Sequence, residues 1–147
     1  MTERIAVANT GVYTAALMEH NAHPDYKFAL DDFTHEQEGV NPSCGDEMVL
    51  RLRLSADGQT IEEAAFTGSG CAVSQASADI MADLITGESV DEAKRLSALF
   101  VRMIQGDELT EDEQDDLDEA YELESISRMP ARVKCAELAW RTLDEMI

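Results

Sequence analysis

Positions 48–54 show a period of two, in which Met48, Leu50, Leu52 and Leu54 alternate with Val49, Arg51 and Arg53. This period is typical of a strand with one buried face. The residues that follow, Ala56-Asp57-Gly58, favour a tight turn because Asp-Gly readily adopts positive φ. We therefore predict a hairpin in which a second strand, at positions 60–66, pairs with the first.

The sequence before this hairpin has a weaker pattern. Positions 5–22 predict an amphipathic helix. Its predicted inward side chains are Val12, Ala15, Ala16 and Met18. Positions 27–41 show no sustained period, so we expect a loop there.

Helical periodicity replaces the alternation after Gly68-Ser69-Gly70, a sequence that is expected to break the second strand. Positions 72–86 predict a helix that ends at Gly87, where a left-handed residue commonly terminates a helix. The predicted core stripe of this helix is Val73, Ala76, Ile80 and Leu84.

Two capping boxes predict the starts of the next two helices, one from Ser89 to Glu92 and one from Thr110 to Glu113. In a capping box the Ser or Thr side chain accepts from a free backbone N–H, while the Glu reaches back to the cap residue. The helix after Ser89 should stop near Gly106. Its predicted inward side chains are Ala93, Leu96, Phe100, Met103 and Ile104.

A last helix is predicted from Pro130, which suits a first turn because its missing N–H would have no partner there. Its apolar stripe, with spacings of three and four residues, is Val133, Ala136, Trp140, Leu143 and Ile147. The strands are thus grouped together and do not alternate with helices. We therefore predict one α+β domain over residues 1–147, in which a small antiparallel sheet packs against several helices.

Composition agrees with a folded domain, since 44% of the residues are apolar and 29% are charged. No apolar stretch approaches the roughly 20 residues that cross a bilayer, and no secretory signal is recognisable. We therefore expect a soluble, cytoplasmic protein with no membrane partner. The formal charge of −20 would repel phosphate backbones, which argues against nucleic-acid binding.

Much of the negative charge lies in one segment. Between Asp107 and Glu124, 11 of 18 residues are acidic and none is basic, so the segment holds over half of the excess charge. Three interpretations stay open: the solvated face of a helix, a docking surface for a basic partner, or adaptation to high salt. An apolar strip at Leu117, Ala120 and Tyr121 favours the first.

Three cysteines carry the candidate chemistry, and their odd number argues against a disulfide framework. Arg132 and Lys134 would favour an ionised sulfur at Cys135. Asp46, close to Cys44, would oppose one unless a cation lay between them. Three thiolates and a carboxylate would complete a tetrahedral zinc shell. Because no CxxC pair is present, spacing alone leaves a metal site and three structural cysteines as alternatives.

The residues around each cysteine are more specific than the spacing. Three segments closely resemble the cysteine motifs of the iron–sulfur cluster assembly proteins, a family that includes the IscU scaffolds, the N-terminal domain of NifU, and SufU. They are Asn41-Pro42-Ser43-Cys44-Gly45-Asp46, Gly68-Ser69-Gly70-Cys71-Ala72-Val73-Ser74-Gln75-Ala76-Ser77 and Pro130-Ala131-Arg132-Val133-Lys134-Cys135. The resemblance extends from Asn41 to Ile147, with the motifs in order.

Two features resemble the SufU branch in particular. Cluster scaffolds carry a His immediately before the last Cys, where this chain has Lys134. SufU proteins also contain an insertion between the second and third motifs. In this chain the insertion corresponds to the acidic stretch around 106–127.

The SufU resemblance implies an IscU-like α+β fold with about three strands and sulfurtransferase-like chemistry. A SufU protein takes persulfide sulfur from a SufS-type, pyridoxal-phosphate-dependent cysteine desulfurase and passes it toward a downstream cluster-assembly scaffold. The alternative function is a scaffold on which iron enters a transient [2Fe–2S] cluster at the same ligands.

The resemblance also implies roles for particular residues. The zinc ligands would be Cys44, Asp46, Cys71 and Cys135. Cys44 would be the catalytic residue that accepts the sulfur. Arg132 and Lys134 would support the site or contact the partner.

Overall fold

A three-stranded antiparallel sheet forms one layer of the fold. The structure is a computed structural model that describes residues 14–147, and its strands lie in the order β1-β2-β3. They are β1 (His35–Asn41), β2 (Asp46–Leu54) and β3 (Ile61–Ser69). The predicted hairpin is confirmed as β2 and β3, with Gly58 at φ +73° in the turn that joins them.

β1 lies within the stretch 27–41 that was predicted as a loop, so that prediction is wrong for residues 35–41 and confirmed for residues 27–34. The strand pairs with β2 over its whole length, from His35 opposite Leu52 to Asn41 opposite Asp46. Only Gly39 and Asn41 are buried, so an apolar alternation is missing. The pattern failed because β1 is an edge strand whose place is set by its neighbour and not by its own propensity.

β3 continues beyond its predicted end at Phe66. Gly68, which was expected to break the strand, pairs with Met48 instead. Its φ is +131°, and a Cβ at this position would collide with the carbonyl oxygen of Glu47. Only glycine permits this close approach. The ladder therefore reaches Ser69, two residues before Cys71.

Helices pack against the sheet and complete the predicted α+β fold. They are α1 (Ala15–Ala22), α2 (Ala72–Ile85), α3 (Val90–Ile104), α4 (Glu111–Leu117) and α5 (Pro130–Met146), with a 3₁₀ segment at Asp118–Arg128. Within residues 14–147, none of them is long and apolar enough to cross a membrane.

α2 is the central helix of the core. Val73, Ala76 and Ile80 are buried as predicted, whereas Leu84 is only half-buried. The helix buries far more than one stripe because α1, α5, β3 and the 3₁₀ segment all pack against it. The predicted left-handed residue after this helix is confirmed at Gly87, with φ +89°.

Both predicted N-caps form, but only the second is a complete capping box. Thr110 accepts from the Glu113 N–H, and the Glu113 carboxylate accepts from the Thr110 N–H. Ser89 accepts from the Glu92 N–H, whereas the Glu92 carboxylate accepts two bonds from Arg95. A bidentate bond to a guanidinium is stronger than one bond to a backbone N–H, which explains the difference.

The predicted core stripe of α3 is confirmed. Ala93, Leu96, Phe100, Met103 and Ile104 are all buried. The helix stops as expected before Gly106, which has φ +104°.

The acidic stretch folds as two short pieces. α4 ends at Leu117 because Asp118 adopts φ +51°, and the 3₁₀ segment follows. Leu117 and Ala120 are fully buried, as the apolar strip predicted. Most carboxylates here are exposed, and Asp116 pairs with Arg95 of α3. This arrangement is that of a solvated face.

α5 joins the core through its predicted stripe. Ala136, Trp140 and Leu143 are buried, and Val133 and Ile147 are half-buried. The Trp140 ring stacks on Phe100 with 4.2 Å between the ring centroids. Its indole N–H donates to Ser77 Oγ at 3.0 Å, which fastens α5 to α2. The two helices therefore hold a fixed register.

The predicted first helix is described only in part, as α1. Val12 lies outside the described residues. Ala15 and Ala16 are half-buried, but Met18 was predicted inward and is 56% exposed. Leu17 is the buried side chain instead. The ragged apolar pattern of this segment did not define which face of the helix is buried.

His20 connects α1 to two other elements. Its Nδ1 lies 2.6 Å from Asp79 Oδ2 on α2, and its Nε2 lies 2.7 Å from Glu119 Oε1 in the 3₁₀ segment. Burial by itself lowers the pKa of His20, but the two carboxylates outweigh it and the net pKa is raised. A protonated His20 can donate to both partners at once, so the contact is strongest in that form.

We expect His20→Gln to weaken the fold in a pH-dependent way. Because the folded-state pKa of His20 is raised, its stabilisation is fully present below about pH 6.5 and is lost as pH rises through the folded-state pKa. The variant should lose about 1 kcal/mol of unfolding free energy near pH 6 and less near pH 9, as measured by urea denaturation. The exposed residue His23 offers a matched control, His23→Gln. Equal losses at both pH values would contradict the assignment.

Candidate metal centre

Two of the three cysteine motifs converge with a carboxylate at one end of the sheet. One donor atom from each of Cys44, Asp46 and Cys135 lies within 4.8 Å of the other two. Cys44 lies in the turn between β1 and β2, Asp46 is the first residue of β2, and Cys135 lies on α5. The fold therefore brings together residues that are up to 91 positions apart in the chain.

The β1–β2 connection fixes the first part of this cluster. Asn41 ends β1 directly opposite Asp46, so only four residues close the turn. Gly45 takes φ +73°, which suits glycine in so short a connection. The Cys44 N–H donates to the Asn41 carbonyl at 3.3 Å. Cys44 is therefore held at the tip of a hairpin, where it is half-buried.

Cys71 adjoins this cluster through its backbone. It is the N-cap residue of α2, and its N–H donates to Asp46 Oδ1 at 2.9 Å. Gly70 makes this approach possible, because a Cβ there would lie 2.5 Å from both Asp46 Oδ1 and Ser74 Oγ. The Cys71 thiol itself is outside the group of described donor atoms that lie within 4.8 Å of one another, which comprises Cys44, Asp46 and Cys135. The structure thus clusters three of the four predicted ligands and brings the backbone of the fourth against Asp46.

Asp46 is held by donors from both sides. Its carboxylate is 1% exposed. Besides the Cys71 N–H, Oδ1 accepts from Ser74 Oγ at 3.2 Å, and Oδ2 accepts from Asn41 Nδ2 at 3.0 Å. Burial alone would raise the pKa of Asp46, but the hydrogen bonds from these groups and Cys135 lower it below its usual value. The carboxylate is therefore ionised and fixed in direction.

The pKa of the Cys135 thiol is shifted in the direction opposite to that expected from its basic neighbours. Its side chain is fully buried, and burial together with hydrogen bonding to Cys44, Asp46 and Cys71 raises the pKa of the thiol well above its usual range. Lys134, by contrast, is exposed. Burial, together with the nearby thiols and carboxylate, therefore outweighs the basic neighbours that were expected to favour an ionised sulfur.

This donor set fits a zinc ion. Zn²⁺ takes sulfur and carboxylate oxygen at about 2.3 and 2.1 Å, which places tetrahedral ligand atoms roughly 3.6–3.8 Å apart. The donor atoms of Cys44, Asp46 and Cys135 lie within 4.8 Å of one another, so they need to move only slightly closer together to reach that spacing. A cation at their centre would also offset the ionised Asp46 and favour thiolates over the thiols. Soft sulfur donors suit iron–sulfur chemistry equally well, so the set alone does not identify the metal.

Two supporting residues were missed by the sequence analysis. Asn41 donates to Asp46 and also lies 3.6 Å from Cys135 Sγ. The hydroxyl of Ser74 lies 3.2 Å from Asp46 Oδ1 and 3.0 Å from the Cys71 carbonyl oxygen, so its one proton is shared between these two acceptors. Asn41 opens the first motif and Ser74 lies three residues after Cys71. Their position within the cysteine motifs could have marked both residues as candidates, but it does not reveal that they hydrogen bond to Asp46.

The chain is similar to known proteins over most of its length. The family model described as the NifU-like N-terminal domain matches residues 12–136. The zinc-dependent sulfurtransferase SufU of Bacillus subtilis is 37% identical over 134 residues, or 91% of this chain and 88% of that protein. The iron–sulfur cluster assembly scaffold protein IscU of Thermotoga maritima is 38% identical over 136 residues, or 92% of each.

Solved structures show the same fold. FiSufU, a SUF-system protein of Fervidobacterium islandicum, superposes with a TM-score of 0.85 at 30% identity, covering 92% of this chain and 96% of its own. The N-terminal NifU-like protein of Brucella abortus superposes with a TM-score of 0.78 over 91% and 90%. At 18% identity the second match supports the fold alone.

We predict that Asn41→Ala weakens metal binding without removing a ligand. Loss of the Nδ2 donor frees the Asp46 carboxylate to rotate, and such supporting bonds typically contribute ten- to hundredfold in metal affinity. Competition for zinc against a chromophoric chelator measures the effect. Asn21→Ala, at an exposed amide on α1, is the matched control. An affinity equal to wild type in a folded Asn41→Ala variant would contradict the role.

Proposed function

The chain belongs to the NifU-like N-terminal domain family, and from this we propose that it is a zinc-dependent acceptor of persulfide sulfur in iron–sulfur cluster assembly. The resemblance to the SufU branch, predicted from the cysteine motifs, is confirmed by the similarity to SufU in sequence and in structure. The relative from Bacillus subtilis is named a zinc-dependent sulfurtransferase.

One observation carries the proposal: the three donor atoms of Cys44, Asp46 and Cys135 cluster with Cys71 adjoining them. We assign these four residues as the zinc ligands. Zinc bound there would stabilise the thiolates and shield them from oxidation. Arg132 and Lys134 lie on the same turn of α5 as Cys135, and we assign them to offsetting the negative charge of the ligands or to contacting a partner.

Cys44 is the sulfur best placed to accept sulfur from another protein. It lies at the tip of the β1–β2 turn and is half-buried, whereas Cys135 is fully buried. Cys71 is also half-buried, but its backbone is fastened to Asp46 at the start of α2. A turn residue without such a bond to the carboxylate can move toward an incoming donor at a lower energetic cost.

The transfer itself is a thiol–persulfide exchange. The Cys44 thiolate attacks the outer sulfur of a persulfide on the donor, the donor's S–S bond breaks, and a new S–S bond forms on Cys44. The donor cysteine leaves as a thiolate, so no external oxidant or reductant is needed. We propose a SufS-type, pyridoxal-phosphate-dependent cysteine desulfurase as the donor and a downstream cluster-assembly scaffold as the recipient.

A second candidate is a scaffold that holds a [2Fe–2S] cluster. Its support is the 38% identity to proteins named IscU from Thermotoga maritima and Streptococcus pyogenes. Thiolates suit both metals. Lys134 stands where the resemblance places a His in the scaffolds, which favours transfer. Elemental analysis of aerobically purified protein separates the two, since transfer requires one tightly held zinc and the scaffold a stable visible-absorbing cluster.

We predict that Cys44→Ala abolishes sulfur acceptance. The variant lacks the only side chain assigned to attack the persulfide, so protein-bound persulfide and desulfurase stimulation should both fall to background. Persulfide labelling with a thiol-reactive mass tag, run beside a sulfide-release assay, measures both quantities.

The control is Ser43→Ala, which changes the exposed neighbour of Cys44 and keeps the thiol. It should behave as wild type. If Cys44→Ala still accepted sulfur and stimulated the desulfurase fully, the assigned role of Cys44 would be wrong.

A further inference from the structure

A groove of about 670 Å³ lies beside the candidate metal centre. It is formed by the end of β1, the end of α3 and one face of α5. Its apolar lining is Val40, Ile104, Pro130, Val133 and Leu138. The volume falls within the range of small-ligand pockets, but the proposed site chemistry does not use it.

The groove and the metal centre share a border. Asn41 lines the groove and hydrogen bonds to Asp46. Pro130, also in the lining, precedes Ala131, whose carbonyl oxygen lies 3.7 Å from Cys44 Sγ. A partner that fills this groove would therefore reach within a residue or two of the sulfur-accepting thiol.

The rim of the groove exposes an aliphatic side chain to solvent. Val40 is 62% exposed, the largest exposed fraction among the four large apolar side chains that face solvent in the described part of the chain. Phe33, another of the four, is covered on one face by the Arg51 guanidinium at 4.3 Å. An exposed aliphatic residue next to an apolar groove is typical of an interaction site.

The charge of the groove is opposite to that of the protein. Glu137 is buried, and its carboxylate accepts from Arg141 Nε and Gln105 Nε2, each at 2.9 Å. Within residues 14–147, Lys134 forms no ion pair. The groove thus presents one uncompensated cation on a chain whose formal charge is −20. A carboxylate on an incoming partner complements it.

We propose that this groove docks a segment of the sulfur donor that presents apolar side chains together with a carboxylate. The inference rests on the proposed sulfur-acceptor function. The apolar side chains pack on Val40, Pro130 and Leu138, and the carboxylate pairs with Lys134. A second copy of this chain is a poorer occupant, because two chains of charge −20 repel each other.

The test measures binding of the donor desulfurase by calorimetry. Val40→Ser should raise its Kd about fivefold while leaving the zinc content unchanged. Lys134→Glu should raise the Kd about tenfold and flatten its salt dependence, because an opposed charge replaces an attractive one. Each has a matched control on the described surface: Met18→Ser for an exposed apolar residue and Lys94→Glu for an exposed lysine.

The outcomes separate this inference from the function on which it rests. If wild type neither binds the desulfurase nor accepts sulfur, the proposed function fails and the docking site fails with it. If wild type binds and accepts sulfur, but both groove variants bind like their controls, only the docking site is wrong. A concentration-dependent dimer of wild type that Val40→Ser disrupts would identify a second copy as the occupant and overturn the proposal.

Discussion

The burial of the Asp46 carboxylate is the constraint on which the rest of the structure depends. A carboxylate that is 1% exposed must be fully hydrogen-bonded to stay ionised. Its donors come from the end of β1 at Asn41 and from the start of α2 at Cys71 and Ser74. These bonds fasten the start of the central helix to the end of the sheet, and they place the backbone of Cys71 against the Asp46 carboxylate.

The core supports this arrangement from the opposite side. Ser77, one turn beyond Ser74 on α2, accepts from the Trp140 indole and donates to the Ala136 carbonyl on α5. Cys135 is the neighbour of Ala136, so the same contact that packs the two helices also fixes the position of Cys135 relative to α2. Stability and the geometry of the candidate metal centre are thus coupled, and a mutation that loosens the contact between α2 and α5 would disturb both.

Charge is distributed unevenly around this framework. The acidic residues of α4 and the 3₁₀ segment surround buried Leu117 and Ala120 and face solvent, apart from pairs such as Arg95 with Asp116. Lys134, beside the candidate metal centre, is without such a partner in the described chain. In the described part of the chain, a small basic and apolar surface that includes Val40 and Lys134 therefore lies close to Cys44.

The sequence by itself determined the local features. The alternation of β2, the capping box at Thr110 and the stripe through Trp140 each follow from contacts within a few residues, and the cysteine motifs identified the family. Tertiary structure decided the rest. β1 has no pattern because β2 supplies its pairing, and Asn41 and His20 acquire roles only from Asp46, Asp79 and Glu119, which other elements bring to them. Hydrogen bonds between residues far apart in the chain leave no periodic trace, so only the assembled fold shows them.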